Sequence, residues 1–270
     1  MLKVKDTLIK LDHFPDGTLH MEGALYYDRN AFGKIQIDWR YENDSELFAL
    51  ICLVNHIRST QDNPRIVLFM PYIPHARMDR VKSSRDVFTL KYFAEIINSL
   101  HFDEVIALDP HSHVSEALID NLHVIHPQVY LENVFETVLS EGNFMLFYPD
   151  EGAMKRYSSD IKSPYYCFGI KNRDWCNGRI LSLDLAGPVE DIAGKNILII
   201  DDICSRGGTF LHSARRLKEV GAEDIYLFVS HCENTILQGE LLEGDLVKRV
   251  YTTNSIFTAS HPKIEVIEIV

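Results

Sequence analysis

The sequence predicts an α/β fold of two tandem domains, each a mainly parallel sheet flanked by helices. Three observations predict it. Short apolar runs such as Ile66–Met70 and Ile197–Ile200 alternate with helical patterns along most of the chain, as parallel strands joined by helical crossovers do. Residues 94–111 (AEIINSLHFDEVIALDPH) align without a gap on residues 214–231 (ARRLKEVGAEDIYLFVSH). The alignment pairs Ala94 with Ala214, Asp103-Glu104 with Glu223-Asp224, and His111 with His231. Finally, 270 residues are enough for two domains of ordinary size. The repeat places a boundary near Pro127, giving domains 1–127 and 128–270.

Composition narrows the function classes. A net charge of −12 argues against wholesale nucleic-acid binding, so an anionic ligand must be held by local basic clusters. No apolar run approaches the ~20 residues of a membrane span, and the start, MLKVKDTLIK, lacks the apolar core of a signal peptide. Five cysteines, odd in number and without a CxxC, read as reduced thiols of a cytoplasmic protein.

In chain order, strand-like pieces surround the turn His13–Thr18, marked by Pro15 and Asp16-Gly17. Asn43, Asp44 and Ser45 can cap a helix whose apolar face is Leu47, Phe48, Leu50, Ile51, Val54 and Ile57. After the strand Ile66–Met70 comes PYIPHARMDRVKSSRD, residues 71–86. Its prolines exclude a helix at its start, and it gathers Arg77, Arg80, Lys82 and Arg85. Such a loop at a strand's carboxyl end is a candidate polyphosphate site, or else a solvated charged loop. A helix over 88–100 and a strand at Val105–Leu108 lead to Asp109-Pro110-His111. In the second half, a helix over Val129–Leu139 and a strand at Phe144–Tyr148 precede Pro149-Asp150-Glu151-Gly152, again strand, acid, glycine and helix. A strand at Tyr165–Ile170 opens into the polar, turn-rich segment Lys171–Arg179. The chain ends in a strand at Ile225–Ser230, a helix near 235–242, and strand-like Val250–Thr252 and Ile264–Val270.

The most informative stretch is Lys195–Phe210, KNILIIDDICSRGGTF. A β-branched run suited to a strand buried on both faces is closed by Asp201 and Asp202. A Ser-Arg-Gly-Gly-Thr turn follows, and then a helix carrying Phe210, Leu211, Ala214, Leu217 and Val220. Glycines let backbone N–H groups turn inward while the helix points its positive end the same way, which is a cradle for phosphate. Neither the Lys-Ser/Thr of a P-loop nor a GxGxxG is present. Two carboxylates beside the cradle suit the hydroxyls of a ribose whose 5-phosphate sits in the loop.

That loop resembles the signature of type I phosphoribosyltransferases and of ribose-phosphate pyrophosphokinases (PRPP synthetases). Further segments resemble the latter in the same order. PYIPHARMDR is similar to their PYFPYARQDR-type ATP loop, Asp109-Pro110-His111 to Asp-Leu-His, and Pro149–Arg156 to Pro-Asp-Ala-Gly-Gly-Ala-Lys-Arg. Lys171-Asn172-Arg173 stands where the family has a catalytic Lys-Arg-Arg flexible loop, and Phe14-Pro15-Asp16-Gly17 resembles Phe-Ser-Asp-Gly. The resemblance implies two type I phosphoribosyltransferase-type domains and transfer of the β,γ-diphosphate of ATP to the anomeric hydroxyl of a ribose 5-phosphate unit, with AMP released. It implies an ATP site of Phe14, Asp16, Arg77, Met78, Asp79, Arg80 and His111, and Mg²⁺ on His111 and Asp150. Lys171 and Arg173 become the catalytic cations. Asp201, Asp202, Ser205, Arg206, Gly207, Gly208 and Thr209 become the ribose-phosphate site. A homo-oligomer is implied too, because Phe14 and Asp16 would serve a neighbouring subunit's nucleotide.

Departures open the question of the acceptor. Ser205-Arg206 stands where the family's loop reads Asp-Thr, Met78 replaces a Gln, Lys82 an acid, and Thr18 a Glu. The guanidinium gained at Arg206 can fork onto more than one phosphate oxygen. Ribose 5-phosphate and ADP-ribose, the latter as a step towards NAD in a phage-type member acting in a host cytoplasm, both fit. A PRPP-consuming phosphoribosyltransferase and a non-catalytic regulatory homologue are the rival readings.

Overall fold

The computed structural model describes residues 1–5, 7–22, 34–140, 142–161, 163, 165–173 and 180–269, apart from the side chains of 172, 173, 180 and 181. Its contacts divide the chain into two compact units, Met1–His126 and Pro127–Val270.

In the first unit, β1 (Leu2–Val4), β2 (Thr7–Leu8), β3 (Leu11–His13), β4 (Leu19–Met21) and β5 (Lys34–Trp39) precede helix α1 (Ser45–Thr60). Then come β6 (Arg65–Phe69), α2 (Thr89–Ser99), β7 (Glu104–Leu108), α3 (His113–Leu118) and β8 (Leu122–Ile125). The sheet order is β2-β1-β5-β6-β7-β8. β5 to β8 run parallel, while β1 joins β5 antiparallel. β3 and β4 form a hairpin of their own. Helix α1 starts where Asn43 Oδ1 accepts the backbone N–H of Ser45 at 3.1 Å, an Asx turn that helps satisfy the helix start. It buries Ala49, Leu50, Leu53, Val54 and Ile57 against the sheet, at the spacing a helix face requires. Ile66, Val67 and Leu68 are wholly buried, as residues of a parallel strand covered on both faces should be.

The second unit consists of α4 (Gln128–Ser140), β9 (Phe144–Tyr148), α5 (Glu151–Tyr157), β10 (Tyr166–Arg173), β11 (Ile180–Ala186), β12 (Asn196–Cys204), α6 (Gly208–Glu219), β13 (Ile225–Cys232), β14 (Arg249–Thr253) and β15 (Ile264–Ile267). Its sheet runs β11-β10-β9-β12-β13-β14-β15, parallel throughout except where β10 meets β11. The fold is therefore the expected pair of mainly parallel α/β domains.

The repeated segments fold alike, since β6-α2-β7 and β12-α6-β13 are both parallel crossovers. Their aligned histidines diverge. His231 lies inside β13, 2% exposed, with Nδ1 2.8 Å from Ser255 Oγ. His111 lies beyond β7, which ends where Asp109 turns to φ +40°.

Three expectations are corrected. β12 does not stop at Asp201 and Asp202. It runs on to Cys204 because β13 is long enough to pair Ile203 with His231 and Cys204 with Cys232. Residues 235–242 form no α-helix but a 3-10 segment, Asn234–Gln238, followed by turns. Lys171–Arg173 belong to strand β10, not to a loop; residues 174–179 of the expected loop lie outside the described residues. α3 and β8 were not expected, because the short His113–Leu118 turn carries no apolar periodicity long enough to register.

Candidate active site

The basic loop after β6 is ordered from beneath. Tyr72, Ile73 and Ala76 point inward and are buried, which turns Arg77, Met78 and Arg80 outward. Asp79 also points inward, at 5% exposure, and accepts Arg80 Nε at 2.8 Å. Burial pushes its carboxyl up, but the Arg80 guanidinium bonded to it, with Ser112 and His111 nearby, outweighs this and holds it below the ordinary value. Asp79 thus positions Arg80 from beneath the loop. Asp86 closes the far end of the loop by accepting the N–H groups of Lys82 and Ser83.

Phe14, Pro15, Asp16 and Gly17 form the tip of the β3–β4 hairpin. Asp16 Oδ1 accepts the N–H and the hydroxyl of Thr18 at 3.0 and 2.7 Å. Gly17 takes φ +84°, which suits glycine at a tight turn. The Phe14 ring is 52% exposed and touches His20, with centroids 4.8 Å apart.

In the second unit the carboxyl ends of β9, β10 and β12 bring the candidate charged residues together. Asp150 caps α5. Its Oδ1 accepts the Ala153 N–H at 3.0 Å, a role for which Asp is among the preferred residues. Its Oδ2 lies 2.6 Å from Lys171 Nζ. Burial alone pushes Asp150 up, but the Lys171 ammonium and the N–H groups of Ala153 and Gly152 win and hold it below the ordinary carboxylate range. Lys171 reaches this turn because β10 pairs with β9 only to Phe168–Tyr148 and then overruns it. Gly169 permits the approach, since a Cβ there would lie 2.6 Å from the Pro149 carbonyl oxygen. Arg173 ends the same strand, and its side chain lies outside the described atoms.

Asp201 and Asp202 have different surroundings. Asp202, 4% exposed, pairs with Arg156 of α5, Nη1 to Oδ2 3.1 Å. Asp201 is half-buried, and its Oδ1 accepts the Asp202 N–H at 3.0 Å. Burial and the charges of Asp202 and Asp150 push Asp201 well above the ordinary range. The three acids therefore form a negative focus that a cation or ribose hydroxyls would relieve. Arg156→Met is expected to destabilise the chain by about 3 kcal/mol, because Asp202 would lose its cation in a buried place. Urea unfolding measures this; a loss below about 1 kcal/mol would show that the pair does not anchor Asp202.

The turn after β12 has one open and one closed side. Gly207, φ +78°, caps α6, and a Cβ on it would lie 2.7 Å from Leu241 Cδ2. A Cβ on Gly239 would lie 1.9 Å from the Arg206 carbonyl oxygen. Residues 239–241 thus back the turn. Around Gly208 a Cβ would meet nothing within 4 Å, Arg206 is exposed, and Ser205 and Thr209 are half-buried. The open side lies at the N-terminus of a 12-residue helix, where an anion is favoured.

Within the second unit the structure gathers Asp150, Lys171, Asp201 and Asp202, and it sets Ser205–Thr209 at the end of the same strand as the acids. The sequence reading missed three contributors. Arg156 stood in a quoted motif without a role, and Gly169 and Gly239 were passed over. A glycine inside a strand pattern was a usable sign of close backbone approach for Gly169; Gly239 carried none.

Comparisons with known proteins show what the chain is similar to. The family described as phosphoribosyl synthetase-associated domain matches residues 185–270. A ribose-phosphate pyrophosphokinase of Pyrococcus abyssi is 27% identical over 226 residues, covering 83% of this chain and 75% of that protein. One of Staphylococcus saprophyticus is 31% identical over 209 residues, covering 74% of this chain and 62% of that protein. The crystal structure of phosphoribosylpyrophosphate synthetase from Mycobacterium smegmatis matches with TM-score 0.78 at 18% identity, covering 97% of this chain and 86% of that one. It shows the same tandem fold.

Proposed function

We propose that this relative of the ribose-phosphate pyrophosphokinases, built on their fold, transfers the β,γ-diphosphate of ATP to the anomeric hydroxyl of ribose 5-phosphate and releases AMP. The observation that carries the reading is the convergence of Asp150, Lys171, Asp201 and Asp202 beside an open anion turn at the carboxyl ends of β9, β10 and β12. Transfer of this kind needs alignment and charge compensation more than covalent help. The Ser205–Thr209 turn holds the 5-phosphate. Asp201 accepts the ribose hydroxyls, and Asp202 orients Asp201 from its pair with Arg156. Lys171, with Arg173, neutralises charge on the transferring group. In the first unit Arg77, Met78 and Arg80 form the outward face that takes ATP, with Asp79 beneath. Phe14 and Asp16 of the projecting hairpin serve the nucleotide of a second copy in a homo-oligomer.

The donors fit Mg²⁺ in part. The carboxylates are hard oxygen ligands suited to it, whereas the imidazole of His111 suits it less. Among the described residues no group of three or more His, Cys, Asp or Glu is arranged to hold a metal. Asp150 in the second unit and His111 in the first would each offer Mg²⁺ a single donor, an ion drawing its other ligands from phosphates and water. When bound, it offsets charge on the β- and γ-phosphates.

Arg206 favours a second acceptor. Its exposed guanidinium beside the anion turn suits the second phosphate of ADP-ribose. Incubation with ATP and Mg²⁺, plus either acceptor, separates the two by AMP release and a gain of two phosphoryl units. Product from ribose 5-phosphate is expected. Product from ADP-ribose alone would reassign the acceptor, and AMP from neither would bring forward the non-catalytic homologue.

A further inference from the structure

We infer that Asp150 is a shared ligand, which holds Lys171 and must give up that lysine to take a divalent cation. The inference rests on the pyrophosphokinase reading. Asp150 has two oxygens, and both are engaged. Oδ1 closes the start of α5 through the Ala153 N–H at 3.0 Å, and Oδ2 holds the Lys171 ammonium at 2.6 Å. Surrendering Oδ1 would uncap the helix, so a cation must come to Oδ2. A Mg²⁺ ion sits about 2 Å from its oxygen ligands, and an ammonium at hydrogen-bond distance on the same oxygen would meet it as a like charge.

Exposure shows which partner moves. The Asp150 side chain is 40% exposed, open to an ion from solvent, whereas the Lys171 side chain is folded in at 9%. β10 itself is fixed by its pairing with β11, Lys171 opposite Leu183, and by the contact of Gly169 with Pro149. The backbone therefore stays, and the four-methylene side chain swings. Once released, the ammonium is free to neutralise charge on the transferring group. The lysine is thus withheld until the cation has arrived. By linkage, the lysine lowers cation affinity by the same factor by which the cation loosens the lysine.

The test uses the full chain and Mn²⁺ alone as the probe, followed by electron paramagnetic resonance. Parent, Lys171→Met and Asp150→Asn are titrated, and acylation of Lys171 is followed by mass spectrometry with and without the ion. Lys171→Met is expected to bind Mn²⁺ about tenfold tighter than the parent, within the usual range of site coupling, and Asp150→Asn to lose binding. The ion is expected to speed acylation of Lys171. If Asp150→Asn weakens binding but Lys171→Met binds no tighter, the exchange is overturned while Asp150 stands as a ligand. If Asp150→Asn binds as the parent does, the ligand assignment fails and the exchange with it. Acylation at one rate with and without the ion also overturns the exchange.

Discussion

Lys171→Ala is expected to lower kcat for diphosphate transfer by about 10³-fold, the scale on which a single well-placed cation acts in phosphoryl transfer. Lys171 is held beside the acids of the second unit, its Nζ 2.6 Å from Asp150 Oδ2. Removing it should leave KM for ribose 5-phosphate nearly unchanged, because the proposed 5-phosphate site is the turn after β12. Stability should change little, by about 1 kcal/mol, since the pair is open to solvent on the carboxylate side and Asp150 keeps its bond from Ala153. Lys171→Arg should restore part of the rate. AMP release gives kcat, and a thermal melt shows that the fold survives. A Lys171→Ala chain turning over within tenfold of the parent would remove the lysine from the transfer step and leave that role to Arg173.

The elements and residue types that make the site were legible in the sequence wherever local chemistry dictates them. β9 falls where Phe144–Tyr148 was expected, because five apolar residues bounded by polar ones leave no other reading. Asp150 could be placed from the sequence as the acid after β9, whereas Asp201 and Asp202 lie inside β12 and not at its end. What was not legible depends on partners far away in the chain. The length of β12 is set by β13, which no local pattern of Asp201–Cys204 reveals. The division of labour between Asp201 and Asp202 depends on Arg156, 46 positions away and on another element. Lys171 and Asp150 were both singled out, yet their contact depends on how far β10 overruns β9. Residues 235–242 read as helical by composition, but the demands of the neighbouring turn overrode propensity there.

Those demands give the second large effect. Gly239→Ala is expected to cost about 2 kcal/mol of stability, the usual scale of overpacking, and to raise KM for the acceptor at least tenfold. Gly239 has φ −102° and ψ 171°, a conformation open to any residue, so backbone freedom does not explain a glycine there. Space does. A Cβ would stand 1.9 Å from the Arg206 carbonyl oxygen and 2.9 Å from its carbonyl carbon. These are backbone atoms, which cannot step aside as the end of a side chain can. Either the turn Ser205–Gly208 lifts away or residues 236–241 retreat, and retreat is opposed by the Gly239 N–H bond to Ile236 O and by Leu241, buried against Gly207. The turn is the part that gives, and with it the proposed anion site at the start of α6. KM for ATP should hold, because the nucleotide loop belongs to the other unit. Gly208→Ala is the contrasting variant. Its Cβ meets open space and lies in the first turn of α6, where alanine is favoured over glycine. It should keep stability and lose acceptor affinity only through crowding of the phosphate. A Gly239→Ala chain with the parent's melting temperature and acceptor KM would mean that residues 239–241 do not shape the turn, and the anion site would have to be sought elsewhere on α6.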